Sequence, residues 1–244
     1  MTSGPAVEVR GLRVRRGHRE VLHGLSFTVG RGSVTGLIGP SGCGKTTLMR
    51  AIAGVQIVAG GSVTVLGRPA GSRVLRHVAG YATQDASLYA DLTVTENLRY
   101  FATVLGAARS DPVRVIDAVS LDAARRPPPG RRQPVRWSAA PGQPGYRTAG
   151  PARAVRAGRA HRRARPGAAG RAVGVFRGLA SRGMTLVVSS HVMDEAARCG
   201  RLLLMRDGDI LTDGTPAELL AASGTADLDQ AFLRLIRARQ EARA

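Results

Sequence analysis

The 244-residue chain is nearly devoid of lysine: Lys45 is the only one, and the other 35 basic residues are arginines. Cysteine is scarce too, and the two residues, Cys43 and Cys199, exclude a disulfide framework and fit a reducing compartment. No run of about 18 apolar residues occurs, so no membrane-spanning helix is encoded. Residues 1–8 lack the pattern of a signal peptide. These absences favour one large intracellular domain with a sizeable core.

Acidic residues are missing from residues 123–173, which carry 13 arginines and also lack Leu, Ile, Met and Phe. Outside this segment 23 basic residues stand against 17 acidic ones, so the net charge of +19 falls to +6. Because the excess charge is confined to one segment, the protein does not have a uniformly basic surface. The segment also contains only two aromatic residues, Trp137 and Tyr146, on which nucleic-acid bases could stack. We therefore expect no specific nucleic-acid partner, and at most nonspecific, salt-sensitive contact.

The single lysine belongs to a glycine-rich octet that matches the phosphate-binding pattern G-x-x-x-x-G-K-[ST], namely Gly39, Pro40, Ser41, Gly42, Cys43, Gly44, Lys45 and Thr46. Backbone N–H groups of such a turn bind phosphate oxygens, and the helix that follows directs its N-terminal dipole at the same charge. The Lys45 ammonium can reach the β- and γ-phosphates, and the Thr46 hydroxyl can ligate Mg²⁺. The pattern predicts a nucleotide-phosphate site that also includes Thr47.

Strand and helix patterns alternate along the rest of the chain. Strands are predicted within 7–29, at 33–38, 61–67, 78–82 and 185–190, and as a hairpin over 201–206 and 210–212 with its turn at Asp207-Gly208. Helices are predicted at 47–53, 95–105, 112–119, 216–222 and 227–242, and Thr93 or Thr95 can cap the second of them. The order indicates a single α/β domain, 1–244, of the P-loop NTPase type, with a mostly parallel central sheet, a small antiparallel β subdomain and a helical subdomain. We divide it into P-loop core and β subdomain (1–84), start of the helical subdomain (85–122), anomalous segment (123–173) and remaining core (174–244).

With these motifs in order, the chain resembles the ATP-binding subunit of ABC transporters over residues 7–236, apart from residues 123–173. The octet is similar to the family's Walker A loop. Gln84 resembles the Q-loop glutamine, which contacts Mg²⁺ and the attacking water, and His191 resembles the switch histidine, which touches the γ-phosphate. Residues 86–101 look most like those of ABC-2 type exporter subunits, used for drug efflux.

The resemblance implies an ABC-type ATPase that couples ATP hydrolysis to substrate export, including multidrug export. It implies ATP and Mg²⁺ as cofactors, with Thr46 and Gln84 as protein ligands of the metal. The implied partners are an integral membrane permease and a second ATP-binding subunit in a homodimer, and the implied location is cytoplasmic, peripheral on the inner face of the cell membrane. The adenine-stacking aromatic of the family has no match at residues 14–17, where an arginine could stack on the base instead.

Two further family motifs are expected between residues 121 and 176, the Leu-Ser-Gly-Gly-Gln signature and the Walker B strand ending in Asp-Glu. The segment holds no acid, and Arg159 stands where the catalytic Glu belongs. Read one nucleotide later, codons for 133–138 admit Asn-Leu-Ser-Gly-Gly-Gln and codons for 158–161 admit Asp-Glu-Pro-Thr. We therefore infer a frameshift that begins near 123–127 and is undone near 170–174, the alternative being a genuine Arg/Pro-rich insertion.

For the chain as printed, we expect residues 123–173 to be irregular, because an interior strand without apolar residues cannot bury its faces and prolines remove ladder hydrogen bonds. We also expect MgATP hydrolysis near background. Two function classes stay open: the ATP-binding subunit of a transporter, and a non-catalytic or soluble P-loop nucleotide-binding protein or inactive remnant.

Overall fold

The computed structural model describes residues 4–82, 89, 92–106, 108, 116, 155–159, 168–190 and 197–241. Within them the strands are β1 (Val7–Arg16), β2 (Arg19–Val29), β3 (Val34–Ile38), β4 (Gly60–Val65), β5 (Arg68–Pro69), β6 (Gly80–Tyr81), β7 (Val155–Arg159), β8 (Thr185–Ser190), β9 (Arg201–Arg206) and β10 (Asp209–Gly214). The α-helices are α1 (Lys45–Ile52), α2 (Val94–Val104), α3 (Ala168–Ser181), α4 (Pro216–Ser223) and α5 (Leu228–Glu241), and Arg73–His77 forms a 3₁₀ helix. Almost all of the helix predicted at 112–119 lies outside the described residues.

A smaller antiparallel sheet has the strand order β2-β1-β4-β5. Its two long strands follow the alternation of the sequence: Val7 and Val9 of β1 pair with Val29 and Phe27 of β2, and all four side chains are buried. The polar residues between them face solvent, because successive side chains of a strand point to opposite faces. This sheet is the antiparallel β subdomain that the sequence predicted.

The larger sheet has the order β10-β9-β3-β8-β7-β6. All of its pairings are parallel except that of β9 with β10, which form the hairpin predicted from Asp207-Gly208. All five residues of β3 are buried in the middle of the sheet. The prediction of a mostly parallel central sheet is therefore confirmed.

The expectation that residues 123–173 are irregular is wrong for two parts of the segment. Residues Val155–Arg159 form β7, which pairs with β8 at five positions and also with β6, and α3 begins at Ala168. The nearest prolines, Pro151 and Pro166, stand outside β7, so every residue of the strand keeps its N–H for the ladder. The rest of 123–173 lies outside the described residues.

Helix α1 joins the two sheets. Its Leu48, Met49 and Ile52 are buried in one hydrophobic cluster with Val7 of the small sheet and Leu203 of the large one. The helix that carries the lysine of the octet is thus fixed by both sheets. None of the helices in the described part of the chain is long and apolar enough to cross a bilayer.

The termini of two surface helices follow from side-chain caps. At α2, Thr93 accepts from the Glu96 N–H and Glu96 accepts from the Thr93 N–H, and Thr215 and Glu218 do the same at α4. Each capping box satisfies two N–H groups that the helix itself cannot bond. Thr93 was one of the two threonines from which the sequence predicted a cap.

Candidate functional site

The glycine-rich octet lies at the carboxyl edge of the central sheet, between β3 and α1. Strand β3 ends at Ile38, and α1 begins at Lys45. Ligands of open α/β sheets bind at this edge, outside the carboxyl ends of the strands. The strand, loop and helix that the sequence predicted around the lysine are therefore present in that order.

Two glycines of the loop are required by close backbone approaches. A Cβ on Gly39 (φ 155°) would overlap the Met205 carbonyl oxygen of β9. A Cβ on Gly44 (φ 104°) would stand 2.8 Å from Leu22 Cδ2. Both backbone angles are ones that residues with a side chain rarely adopt. The loop is thus pressed against β2 and β9 at positions that only glycine fills.

Lys45 is 3 % exposed, and its ammonium lies over the loop. Its Nζ donates to the carbonyl oxygens of Gly39, at 2.5 Å, and Pro40, at 2.7 Å, and is 3.6 Å from Cys43 Sγ. A strongly hydrated point charge on a flexible stem suits phosphate oxygens. The structure therefore holds the one lysine of the chain at the loop that the octet predicted as a phosphate site.

The N-terminus of α1 has no capping side chain. Its N-cap is Gly44, without a side-chain hydrogen bond, and its first turn carries no acidic residue. N–H groups at a helix N-terminus, together with the helix dipole, favour an anion. With Lys45 beside it, this end of α1 can bind a phosphate group.

The octet is fixed in place by the turn of the β9–β10 hairpin. The Gly208 N–H donates to the Cys43 carbonyl oxygen at 3.1 Å, and the Gly208 carbonyl accepts from the His23 N–H at 3.2 Å. A Cβ on Gly208 would lie 2.5 Å from the Val21 carbonyl oxygen. The Asp207-Gly208 pair, which the sequence indicated only as a turn, thus connects the phosphate loop to β2.

An open cleft of about 760 Å³ begins at the loop and continues toward the β1–β2 turn. Its cationic lining residues are Lys45, Arg16, Arg19 and Arg50, and its acidic ones are Glu20 and Asp207. Sequence reasoning named the stretch 14–17 but missed Arg19, Glu20 and Arg50. No contiguous motif marks them, because separate elements bring them to one cleft.

Thr46 is exposed and lines the same cleft, whereas Thr47 is buried. The Thr46 hydroxyl fits Mg²⁺ as a single hard oxygen ligand, and this metal usually takes its other ligands from phosphates and water. At the end of β7 the chain carries Gly158 and Arg159, so no carboxylate is offered there. Of the two residues that the sequence predicted as ligands of the metal, Thr46 is the one within the described residues.

The remaining predicted site residues are only partly covered. Gln84 and His191 lie outside the described residues, although β8 ends at Ser190, directly before His191. Arg159 is in register with Ser189, and Ser190 pairs with Ile38, the residue before the loop. The backbone thus brings Arg159 to the same edge of the sheet as the phosphate loop.

The family model described as "ABC transporter" matches residues 22–144 of the chain. The chain is 32 % identical over 231 residues to Nod factor export ATP-binding protein I of Rhizobium sp. (strain N33), covering 88 % of this chain and 72 % of the relative. It is 27 % identical over 254 residues to the probable multidrug ABC transporter ATP-binding protein YbhF of Escherichia coli (strain K12), covering 94 % of this chain and 41 % of YbhF. It is also similar to an import protein, Fe(3+) ions import ATP-binding protein FbpC 2 of Rhodococcus jostii (strain RHA1), at 38 % over 129 residues, or 50 % of this chain and 37 % of FbpC 2.

Solved structures share the fold at lower sequence identity. The ATP-binding subunit of an ABC transporter superposes with a TM-score of 0.74 at 20 % identity, over 95 % of this chain and 99 % of that one. A bacterial Atm1-family ABC exporter with ATP bound gives a TM-score of 0.72 at 23 % identity, over 97 % of this chain and 42 % of that one. At these identities the likeness concerns the fold alone.

Proposed function

Because this chain belongs to the ABC transporter family as an ATP-binding subunit, and is by family an ABC-type ATPase, we propose that it powers export of a substrate through a separate integral membrane permease. The similarity to proteins named for Nod factor export and multidrug transport supports the direction. The observation that carries the proposal is the buried Lys45 over a loop that opens into the cleft.

In this proposal the octet and Thr47 hold the phosphates of ATP, with Lys45 as the point charge. Mg²⁺ arrives with the nucleotide and is held by Thr46 and by Gln84, and His191 touches the γ-phosphate. The chain then acts as one nucleotide-binding domain, with the boundaries given above, in a homodimer that lies peripherally on the inner face of the membrane. The apolar contacts of α1 with both sheets support the phosphate-binding role of the octet, because they hold the phosphate end of the site rigid.

A second candidate function is nucleotide binding without turnover. The observation in its favour is the end of β7, where Gly158 and Arg159 occupy the carboxyl edge of the sheet. A general base positions and activates the attacking water in phosphoryl transfer, and an arginine cannot act as that base near neutral pH. Both functions share the same phosphate loop and differ in whether ATP is cleaved.

Equilibrium binding of MgATP tests the function that both candidates share. The chain should bind MgATP, and Lys45→Ala should weaken binding by at least about tenfold, since a charge-assisted contact to phosphate contributes about 1.5–3 kcal/mol. Arg182→Ala removes an exposed cation after α3 and should leave binding unchanged. Equal loss in both variants, or no binding by the unsubstituted chain, would contradict the proposal.

Recruitment to membranes separates the transporter subunit from an inactive remnant. The chain should sediment with membrane vesicles that contain its permease, and should stay in the supernatant with vesicles that lack it. Equal partition in both cases would favour the second candidate.

A further inference from the structure

The imidazole of His23 on β2 packs against the hairpin turn that holds the phosphate loop. A Cβ built on Gly208 would lie 2.8 Å from His23 Cε1 and 2.9 Å from His23 Nδ1. The same glycine accepts a hydrogen bond from the His23 N–H and donates one to the Cys43 carbonyl oxygen of the loop. The ring therefore lies against the residue through which β2 and the octet are joined.

Both ring nitrogens of His23 face oxygen atoms. Nε2 is 3.3 Å from the Glu20 carbonyl oxygen, and Nδ1 is 3.6 Å from Oδ1 of Asp209, the residue that follows Gly208. A neutral imidazole that donates from Nε2 turns the lone pair of Nδ1 toward the carboxylate, because it has a single N–H. The charged imidazolium has an N–H on both nitrogens, so it can donate to Glu20 and form an ion pair with Asp209. Protonation thus turns a repulsive contact at the turn into an attractive one.

Charged groups approach this ring from each neighbouring element. Arg13 of β1 is opposite His23 in the strand register, and its guanidinium is paired with the Glu20 carboxylate at 2.8 Å. The hairpin contributes Asp209 and also Asp207, whose carboxylate is paired with the arginine before it. The cleft that His23 lines is also lined by four cations, Lys45, Arg16, Arg19 and Arg50. Among the described carboxylates, that of Asp209 is the one within ion-pair distance of the ring.

We propose that His23 is a positioning residue of the phosphate loop and makes the chain bind MgATP more tightly at pH 6 than at pH 8. The charged ring holds the Gly208 turn on β2, and the turn in that position holds the Cys43 carbonyl of the loop. Apparent affinity scales with the fraction of molecules whose loop is in the binding conformation. Imidazole loses its charge between pH 5 and 8, so this fraction falls as the pH rises. The inference rests on the proposed nucleotide site and adds its regulation.

Equilibrium titration of the full chain with MgATP at pH 6 and at pH 8 tests this role. The ratio of the two affinities should be about two- to fivefold larger in the unsubstituted chain than in His23→Gln, the range that a partly exposed ion pair contributes. Asp209→Asn should lower the ratio as much, because the amide has no charge for the ring to pair with. Titration of the ATP phosphates cancels, since every variant is measured with the same nucleotide.

His18→Gln is the matched control. His18 is exposed in the β1–β2 turn and does not line the cleft, so its variant should keep the ratio of the unsubstituted chain.

The outcomes separate this inference from the proposed function. Lys45-dependent binding whose pH ratio is the same in His23→Gln and in the unsubstituted chain would overturn the role of His23 and leave the nucleotide site intact. A larger ratio that persists in Asp209→Asn would overturn it too, because the charge of His23 would then act on the nucleotide without the turn. Absence of Lys45-dependent binding at both pH values would instead count against the nucleotide site itself.

Discussion

Gly39 and Lys45 have different roles in the octet. Lys45 brings charge, and its ammonium is held by two carbonyl oxygens of its own loop. Gly39 has no side chain, and the loop can therefore pass beside the Met205 carbonyl. One residue therefore provides the chemistry of the site and the other provides its position.

The first prediction concerns the backbone of the loop. Gly39→Ala should lower the free energy of unfolding by about 3 kcal/mol or more, because strain and overlap with β9 add up. Gly42 (φ 84°) has no atom within 4 Å of a built Cβ, so Gly42→Ala should cost only the strain of the left-handed backbone, about 1–2 kcal/mol. Urea denaturation measures both. An equal loss in the two variants would show that the contact with Met205 is unimportant.

The site was predictable from sequence where its residues are contiguous. The octet and its flanking strand and helix are local patterns, so they identified Lys45 and Thr46 directly. Arg19 and Gly208 carry no such signal, because their part in the site depends on hairpins that approach the loop from distant parts of the sequence. Arg16 was noted only as one of residues 14–17, where the chain lacks the family's adenine-stacking aromatic residue.

Among the elements, β7 shows which sequence rule failed. The arginine-rich composition of Val155–Arg159 argued against an interior strand, yet the strand pairs with both β6 and β8. Ladder hydrogen bonds need only backbone groups, and the partner strand β8 brings its own buried residues, among them Leu186 and Val187. Composition therefore did not predict which backbone joins the sheet.

Capped helices were predicted more reliably, because a cap is a contact between near neighbours. Thr93 begins α2 with a capping box to Glu96, and Thr215 does so for α4, where Pro216 also suits the first helical position. The helix predicted at 216–222 is confirmed with one further residue.

The second prediction concerns the capping box of α4. The pKa of the Glu218 carboxyl is lowered, chiefly because the Thr215 N–H donates to it at 2.7 Å and next because the Thr215 hydroxyl does. A carboxyl whose pKa is lower in the folded state stabilises the fold at pH values above its ordinary pKa. That contribution is lost as the pH falls through the lowered value.

Glu218→Gln should therefore be less stable than the unsubstituted chain near neutral pH, and the difference should shrink in acid. Thermal unfolding followed by circular dichroism from neutral to acidic pH measures it. Thr215→Ser keeps both donors and should reproduce the profile of the unsubstituted chain. A difference between Glu218→Gln and the unsubstituted chain that does not vary with pH would contradict the assignment.

At the scale of the whole molecule, two sheets share one helix, and the phosphate loop lies between them. Apart from β7 and α3, the order of strands and helices was predictable, since hydrophobic periodicity extends over most of the remaining chain. The absence of acids from residues 123–173, which leaves Arg159 at the end of β7, was also visible in the sequence. The contact of Gly208 with the loop was not predictable from the sequence, because it depends on how the two sheets pack.

The third prediction concerns turnover by the complete chain. As printed, it should bind MgATP but hydrolyse it near background. A chain in which residues 123–173 are replaced by the shifted-frame peptide should be faster by about 10²–10⁴-fold, the range that a general base contributes. Phosphate release measures both rates, with Lys45→Ala in each chain as the control. Robust turnover by the printed chain that disappears in Lys45→Ala would contradict the prediction, and resequencing the DNA for 121–176 would test the frameshift itself.

The peptide unit of Gly208 has a mechanical consequence. It is bonded on one side to Cys43 in the phosphate loop and on the other to His23 of the small sheet, while its own hairpin belongs to the large sheet. Any sliding of one sheet over the other must therefore displace the loop or break one of these bonds. A shift of one sheet relative to the other would therefore change the phosphate contacts of a bound nucleotide. A single glycine, Gly208, couples the two.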